Sequence, residues 1–414
     1  MTASRDLDIV VYGATGFVGR LTAAYLAEHA PEGVRIALAG RSAQRLERIR
    51  TGLGAAAAAW PVLAADAGDP QSLAALAART RVVVTTVGPY AKYGHALASV
   101  CAEAGTDYVD LTGEVLFHRE SIDRFDDVAR RTGARIVHSC GFDSIPSDLG
   151  VHALHRAVQA DGAGDLTDTT LVVRAMRGGV SGGTIDSMRT QVDVVRRDAE
   201  ARKVALAPYS LSPDRSREPD LGRQNDLATV DGKSVAPELS GRLAPFFMGP
   251  YNTRVVRRSN ALTGWAYGPR FRYREVMNVG SSRLSPLVAT GVAAGFGALV
   301  AGLAFPPTRF LLDKVLPAPG QGPSESARER GFFTIDLYTT TSTGARYTAR
   351  VAAQGDPGYK ATAVMLGESA LSLILGGDRL HAGGGVLTPA TAFGDVLTDR
   401  LRAAGFEITA RRLP

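Results

Sequence analysis

Cysteine is scarce in this sequence, and neither of its two cysteines stands at a spacing typical of a metal or redox site. Cys101 falls in a predicted helix and Cys140 follows a predicted strand, so both are expected to be buried packing residues. The first residues also lack a charged segment followed by an apolar one, so no secretory signal is predicted. We therefore expect a reduced, cytoplasmic protein with no bound metal.

Basic runs and segments that interleave basic with aromatic residues are also missing, although the net charge is +6. Because those patterns mark nucleic-acid-binding surfaces, no nucleic-acid partner is expected. No tyrosine is followed by lysine four residues later, so the Tyr-x-x-x-Lys pair of short-chain dehydrogenases is absent from the sequence. Carbonyl reduction by that mechanism is disfavoured.

The chain does have length and apolar content, with 414 residues of which 45% are hydrophobic. A chain of this size buries a large core and is expected to form two domains. In the first 150 residues, apolar strands alternate with helical segments, which predicts a parallel, doubly wound α/β sheet of the Rossmann type. After a first strand at 7–12, the predicted strands are 34–39, 61–65, 81–87, 107–111 and 134–139.

The most informative motif follows the first strand and precedes a helical segment at 21–30. It reads Gly13-Ala14-Thr15-Gly16-Phe17-Val18-Gly19. Gly13 allows a sharp turn, Gly16 lets the backbone approach a phosphate, and Gly19 lets the helix pack against the strand. Because amides at the start of such a helix bind a pyrophosphate, these residues are predicted to hold a dinucleotide.

The end of the second strand indicates which dinucleotide is bound. An Asp or Glu there would bind the ribose 2′-hydroxyl of NAD, but the sequence continues with Arg41 and Ser42. Arg41 can make a bidentate contact with a 2′-phosphate, and Ser42 can add a hydroxyl donor. NADPH is therefore predicted over NADH. The alternative is that Arg41 is an ordinary solvated residue at the start of a helix.

Ligands bind beyond the carboxyl ends of the strands in such sheets, so the residues after each strand are candidates for the site. Asp66 follows strand three and is predicted to meet the adenine, with a turn or helix-cap role as the alternative. Val87, Gly88 and Pro89 follow strand four, where the nicotinamide is expected. Further polar blocks follow strands five and six, at 112–114 and 140–148.

Residues 151–385 are predicted to form an α+β substrate or dimerisation domain. Strands are expected at 169–176 and 271–279, and a hairpin at 332–352 turns around Ser342-Thr343-Gly344. Residues 208–250 read as a long loop, either a functional insertion or a disordered segment. A C-terminal helix and strand at 386–414 are expected to pack back on the first domain.

Residues 284–308 carry no charge and are flanked by Arg283 and Arg309. Their length would suffice to cross a bilayer, but basic residues at both ends give no orientation signal. Four glycines, at 291, 295, 297 and 302, allow a close approach to another helix. We favour a buried helix over 284–305, and a subunit interface, one wall of a lipid tunnel or shallow membrane contact remain alternatives.

Several blocks resemble the saccharopine dehydrogenase-like oxidoreductases, and in particular the trans-acting enoyl reductases that serve mycobacterial phthiocerol-type lipid synthesis. The resemblance extends over nearly the whole chain. It is carried by the glycine motif, Ala39-Gly40-Arg41-Ser42, Thr86-Val87-Gly88-Pro89-Tyr90, and the blocks 108–114, 141–148, 252–261, 338–347 and 385–390.

The resemblance implies reduction by NADPH of a carbon–carbon double bond in an acyl or polyketide chain, held on a carrier protein of a separate polyketide synthase. A tyrosine could supply a hydrogen bond or a proton, and Tyr90 is the first candidate because it follows strand four. Packing against the cofactor is the alternative role for Tyr90. Asp143 and Ser144, with Glu114, are expected in the same cleft, although they could instead cap helices or brace loops.

Two other functions stay open at this point. An oxidoreductase acting on imines or semialdehydes would need arginines that bind carboxylates, and Arg254, Arg257 and Arg258 are candidates. A scaffold that binds NADPH without catalysis is the second alternative. A homodimer and a peripheral membrane contact are also compatible with the sequence.

Overall fold

The computed structural model describes residues 5–179, 181–312, 314, 320 and 322–414. Within these residues the strands form two seven-stranded sheets. In chain order the strands are β1 (Leu7–Tyr12), β2 (Ile36–Gly40), β3 (Val62–Ala64), β4 (Thr80–Thr85), β5 (Asp107–Val109), β6 (Arg135–Val137), β7 (Leu166–Arg177), β8 (Val230–Asp231), β9 (Arg242–Pro245), β10 (Arg272–Met277), β11 (Phe332–Thr341), β12 (Arg346–Gln354), β13 (Gly385–Leu387) and β14 (Glu407–Arg412).

The helices pack around and between these sheets. In chain order they are α1 (Phe17–His29), α2 (Ala43–Gly52), α3 (Pro70–Arg79), α4 (Tyr90–Tyr93), α5 (His95–Ala104), α6 (Val115–Thr132), α7 (Ile145–Ala160), α8 (Gly182–Arg197), α9 (Ala199–Leu206), α10 (Gly232–Val235), α11 (Gly249–Leu262), α12 (Ser285–Ala304), α13 (Pro306–Leu312), α14 (Glu325–Glu329), α15 (Thr362–Leu375), α16 (Pro389–Phe393) and α17 (Asp395–Ala403). A π-helical turn at Pro357–Ala361 precedes α15.

The first sheet is parallel throughout and has the order β13-β6-β5-β4-β1-β2-β3. Strand order reverses between β1 and β4, so the predicted α/β Rossmann fold is confirmed. All six residues of β1 are buried. Helices that cover both faces of a parallel sheet explain why this strand is apolar without alternation.

The second sheet is mixed and has the order β14-β12-β11-β7-β10-β9-β8. Its long central strand β7 pairs in parallel with β10 and antiparallel with β11. β11 and β12 form the predicted hairpin around Ser342-Thr343-Gly344, where Gly344 has a positive φ of 83°. The predicted α+β character of this part is confirmed.

Residues 208–250 are more regular than the predicted loop. β8 and β9 lie within this segment, with Val230 opposite Leu243, and β9 continues the sheet from β10. These strands have two and four residues. Such short strands, separated by proline and glycine, show no periodicity that sequence analysis can detect.

Residues near the C-terminus contribute to both sheets. β13 pairs with β6, placing Val386 opposite Ile136, whereas β14 pairs with β12 at the edge of the second sheet. α15 packs against α1 and β4, and the Tyr25 hydroxyl donates to Glu368 Oε1 at 2.5 Å. The chain thus returns to the first sheet before residue 385, and the division into domains at 150 and 385 stays a prediction.

α12 confirms the helix predicted at 284–305 but not its burial. Among the described residues it is the one helix long and apolar enough to cross a membrane, and only 11% of its most apolar window is buried. Leu287 is 72% exposed. The preference for a buried helix was therefore wrong, because composition alone does not say whether a second layer of protein covers a helix.

Candidate active site

The turn between β1 and α1 is closely packed around its glycines. Gly13 has a φ of +88°, and a Cβ atom there would lie 2.7 Å from Val87 Cγ2. A Cβ atom on Gly19 would lie 2.3 Å from the Gly13 carbonyl oxygen. α1 begins at Phe17, and no side chain caps its N-terminus. Its first amides therefore remain available for the pyrophosphate of a dinucleotide.

The ends of β1, β2 and β3 bring Tyr12, Arg41 and Asp66 near one another. Burial, aided by the charge of Asp66, raises the pKa of Tyr12 to about 12, while Arg41 acts in the opposite direction. Asp66 Oδ1 accepts from the Gly68 amide at 2.8 Å, and Ser42 caps α2 through the Arg45 amide at 3.3 Å. Asp66 thus serves a turn and Ser42 caps a helix, while Arg41 is exposed beyond the end of β2, and its contact with a 2′-phosphate stays a prediction.

A cavity of about 750 Å³ extends from the glycine turn, across the ends of β4, β5 and β6, to the space between α8 and α12. Of the predicted cofactor residues, those lining it are Gly16, Phe17, Val18, Gly88 and Pro89. Gly13, Ala14, Thr15, Gly19 and Val87 are not part of the described lining and lie in or next to the glycine turn. The far end is lined by apolar residues of α8 and α12, including Val192, Val195, Val300, Ala301 and Ala304.

Tyr90 lines the cavity, but its hydroxyl is directed toward the sheet. The hydroxyl donates to the Thr85 carbonyl at 3.2 Å and accepts from the Leu111 amide at 3.1 Å. The side chain is 5% exposed, and burial raises its pKa well above the ordinary value. These bonds join the ends of β4 and β5, so the geometry favours a bracing role, and a catalytic role for Tyr90 stays a prediction.

Glu114 is a brace and not part of the described lining. Its carboxylate accepts from the Tyr90 amide at 2.8 Å, the Ala91 amide at 2.9 Å and the Ser187 hydroxyl at 2.6 Å. Burial raises the pKa of this carboxyl group. Glu114 therefore ties the start of α4 to α8, which matches the bracing alternative from the sequence.

Asp143 and Ser144 lie in different surroundings although they are adjacent. Asp143 is half-buried on the cavity wall, and burial raises the pKa of its carboxyl group to about 6. None of the described residues donates a hydrogen bond to that carboxylate. Ser144 is fully buried and donates to Asn252 Oδ1 at 2.9 Å, away from the cavity. The geometry thus favours a chemical role for Asp143 and a structural one for Ser144.

Tyr251, at the start of α11, is a candidate that sequence reasoning missed. It lines the cavity, and its hydroxyl lies 3.1 Å from His118 Nδ1 and bonds Ser139 Oγ. Ser139 in turn donates to the Thr112 carbonyl at 2.8 Å. Burial, with a smaller effect of His138, holds the pKa of His118 well below its ordinary value, so the ring is neutral. No local motif marks this residue, because His118 is 133 residues away in sequence.

Two further segments reach the cavity without having been predicted. Gly178, Gly179 and Ser181 line it between β7 and α8, as do residues 182–184 in the first turn of α8. A Cβ atom on Gly178 would lie 2.4 Å from Asp356 Oδ2. The π-helical turn before α15 faces the glycine turn, where the ring of Tyr359 packs edge-on against Phe17 at 5.0 Å. The glycine-rich sequence at 178–183 is a signal that could have indicated the first segment.

Arg254, Arg257 and Arg258 are buried and bind backbone carbonyls outside the described cavity lining. Arg257 donates to the Pro208 carbonyl at 3.0 Å and Arg258 to that of Leu211 at 2.6 Å, while Arg254 pairs with Asp226 at 2.6 Å. They clamp the segment after α9 onto α11. The structure therefore does not place them as binders of a substrate carboxylate.

Among the described residues, no group of three or more His, Cys, Asp or Glu side chains could hold a metal ion. The candidate site thus consists of a glycine turn, a cavity with a mainly apolar far end, and polar side chains on its wall, among them Asp143 and Tyr251 and, from α8, Gln191 and Arg196.

Comparison with known proteins relates both the sequence and the fold to characterised families. Residues 9–137 match the family described as saccharopine dehydrogenase NADP binding domain. A protein of Mycobacterium tuberculosis (strain ATCC 25618 / H37Rv), provisionally named a trans-acting enoyl reductase, is 57% identical over 419 residues, covering 100% of both chains. The trans-acting enoyl reductase of Mycobacterium bovis (strain BCG / Pasteur 1173P2) is 50% identical over 416 residues, covering 99% of each.

Among solved structures, the apo form of histidine-tagged saccharopine dehydrogenase (L-Glu forming) from Saccharomyces cerevisiae superimposes with a TM-score of 0.53. The alignment covers 99% of this chain and 100% of that one, at 14% sequence identity. At that identity the likeness concerns the fold alone, and it agrees with the Rossmann sheet and second domain described above.

Proposed function

Because this chain belongs to the trans-acting enoyl reductases of the saccharopine dehydrogenase-like family, we propose that it uses NADPH to reduce the carbon–carbon double bond of an enoyl thioester. The observation that carries the proposal is the continuity of one cavity, from the glycine turn to an apolar far end. A cavity of about 750 Å³ has room for the reacting end of a cofactor together with part of an acyl chain.

The residues at the first sheet fit NADP(H). Close packing at Gly13 and Gly19 leaves no room for side chains, and the uncapped N-terminus of α1 offers amides to a pyrophosphate. Arg41 stands exposed after β2 and has no acidic neighbour at the end of that strand. We assign the 2′-phosphate to Arg41, with the Ser42 hydroxyl as a second donor.

The substrate end of the cavity fits an acyl chain better than a polar imine. Helices α8 and α12 contribute valine and alanine side chains there, and the three candidate arginines are used elsewhere. Gln191 and Arg196 of α8 are the polar neighbours of these side chains, and the Arg196 guanidinium donates to the Ala304 carbonyl. The substrate in this proposal is a lipid or polyketide intermediate on the carrier protein of a separate synthase, and the cytoplasm is the place of reaction. A homodimer stays a prediction.

The chemistry requires hydride at the β-carbon, stabilisation of negative charge on the thioester oxygen, and a proton at the α-carbon. NADPH, when bound, supplies the hydride. We assign the hydrogen bond to the thioester oxygen to the Tyr251 hydroxyl. Neutral His118 can donate from Nδ1 to the phenolic oxygen. Because Ser139 donates its own proton to the Thr112 carbonyl, the Tyr251 hydroxyl donates to Ser139 Oγ when no substrate is bound, and this proton would turn from Ser139 to the thioester oxygen.

We assign the proton for the α-carbon to Asp143. Its carboxyl group lies on the cavity wall, and a pKa of about 6 keeps part of it protonated near neutral pH. Entry of an apolar substrate would remove further water and favour the protonated form still more.

The proposal is tested by following NADPH absorbance with purified protein and two substrate classes. We expect oxidation of NADPH on addition of an enoyl thioester and none with a cyclic imine or a semialdehyde. Faster turnover of the imine would contradict the assignment. Tight NADPH binding without turnover of enoyl thioesters, free or on a carrier protein, would instead indicate a non-catalytic scaffold.

A further inference from the structure

The outer surface of α12 and α13 is an exposed apolar patch. At 1.5 Å per residue the 20 residues of α12 extend about 30 Å. Leu284, Leu287 and Phe305 are 65%, 72% and 59% exposed, and Phe310 and Leu311 on α13 are 63% and 61% exposed. Of the twelve large apolar side chains that are exposed among the described residues, seven lie between 284 and 311. A patch this concentrated marks an interaction surface.

The charges around this patch have one dominant sign. From 276 to 314 the chain carries three basic residues, Arg283, Arg309 and Lys314, and one acidic residue, Asp313. Arg283 is exposed before the helix, and Lys314 Nζ lies 4.5 Å from the centre of the Phe310 ring. Arg309 pairs with Asp193 at 2.7 Å, so its charge is partly neutralised within the protein. Basic side chains beside apolar and aromatic ones match a bilayer with anionic head groups, where the stems are buried and the charges reach the lipid surface.

The connections of α12 exclude a transmembrane orientation for this helix. β10 precedes α12 and β11 follows it, and both strands pair with β7 in the second sheet. A span would require these two neighbours of one strand to stand on opposite sides of the bilayer. In addition, the Ser285 hydroxyl accepts from the Arg242 amide at 3.0 Å, which ties the start of α12 to β9. Any contact with lipid must therefore be made with the helix lying along the surface.

The patch is continuous with the cavity. Val300 lines the cavity and is also 48% exposed, so it stands at the rim between the cavity and the outer surface. Neighbouring residues Gly297, Ala301 and Ala304 line the same wall. One face of the helix thus borders the proposed acyl site while its outer face is free of protein among the described residues.

We propose that the patch formed by α12 and α13 docks on the surface of a lipid bilayer that contains anionic lipid, with the cavity rim at Val300 turned toward the leaflet. Docking uses insertion of Leu284, Leu287, Phe305 and Phe310 into the interface and attraction of Arg283 and Lys314 to head groups. Lipid docking is measured without substrate. Loss of docking would therefore leave the proposed reduction intact, and failure of the proposed reduction would leave docking intact.

The test is sedimentation of the full chain with vesicles of phosphatidylcholine, with and without phosphatidylglycerol. We expect binding that is stronger with phosphatidylglycerol and that falls about tenfold or more in Leu287→Asp. The matched control is Leu375→Asp, since Leu375 is also an exposed leucine at 45% but lies at the end of α15. That variant should bind like the unmodified chain.

Absence of vesicle binding, or equal binding by both variants, would overturn the proposal. Light scattering without lipid measures the oligomeric state and so tests whether a second copy of this chain occupies the patch. A dimer that Leu287→Asp converts to a monomer would assign the patch to a second copy of this chain and would likewise overturn lipid docking. NADPH binding by each variant verifies that the fold is retained.

Discussion

The phenolic hydroxyl of Tyr251 lies 3.1 Å from Nδ1 of His118, on the wall of the cavity that begins at the glycine turn. His118 itself is fully buried, and its Nε2 has no hydrogen-bond partner among the described residues. A buried ring nitrogen without a hydrogen-bond partner costs free energy, and a native structure that keeps such a nitrogen commonly has a functional reason for it. This pair therefore carries our account of how the chain stabilises charge on the substrate oxygen.

Substitution Tyr251→Phe removes the hydroxyl and keeps the ring. We expect kcat for an enoyl thioester to fall about 10²- to 10³-fold, the range for losing one donor to a developing oxyanion. Tyr90→Phe is the control, because the Tyr90 hydroxyl binds the Thr85 carbonyl and the Leu111 amide. It should lower the melting temperature with little change in kcat. The reverse pattern in steady-state assays would move the catalytic role to Tyr90.

Asp143→Asn removes the proposed proton donor. We expect kcat to fall about 10²-fold or more, since general acid catalysis contributes that much. In the unmodified chain, kcat should decline as pH rises through about 6, because the protonated carboxyl group is the active form. The variant should lose this dependence. A pH–rate profile that is identical in both proteins would contradict the assignment.

The same carboxyl group makes stability depend on pH. Burial raises its pKa in the folded chain to about 6, above the ordinary value of 3.8. Between these two values the folded protein binds more protons than the unfolded one, so stability falls as pH rises through this window. Thermal melts from pH 4 to 7 should therefore show a smaller decline in Asp143→Asn. An equal decline in both proteins would show that titratable groups other than Asp143 cause the pH dependence of stability.

Arg41→Ala tests the choice of cofactor. Loss of a charge-assisted contact with the 2′-phosphate should weaken NADPH binding by about ten- to a hundredfold, and NADH binding should change little. Fluorescence titration with both nucleotides measures this ratio. Arg45→Ala is the control. Arg45 lies in the first turn of α2, just after Arg41 and Ser42, and its amide but not its side chain bonds the Ser42 hydroxyl. Equal weakening for NADPH and NADH would exclude a 2′-phosphate contact.

The sequence was sufficient to predict the Rossmann sheet, because β1 to β6 are short apolar segments that alternate with helical ones and the glycine turn directly follows β1. It did not predict β13, whose three residues join β6 only through tertiary pairing. The site divided in the same way. Asp143 follows a strand end and was predicted, whereas Tyr251 reaches the cavity from a distant helix. The exposure of α12 depends on which other elements pack against it. The sequence of α12 is apolar on all sides, so its periodicity does not show which face is covered.

The most direct test of the proposed reaction follows the fate of the transferred hydrogen. The chain is incubated with NADPH deuterated at the transferred C4 position and an enoyl thioester, presented on a carrier protein, and the product is analysed by mass spectrometry and NMR. The account predicts a saturated thioester with one deuterium at the β-carbon and a solvent proton at the α-carbon. Recovery of the unsaturated thioester, or deuterium at a carbonyl-derived carbon, would contradict it.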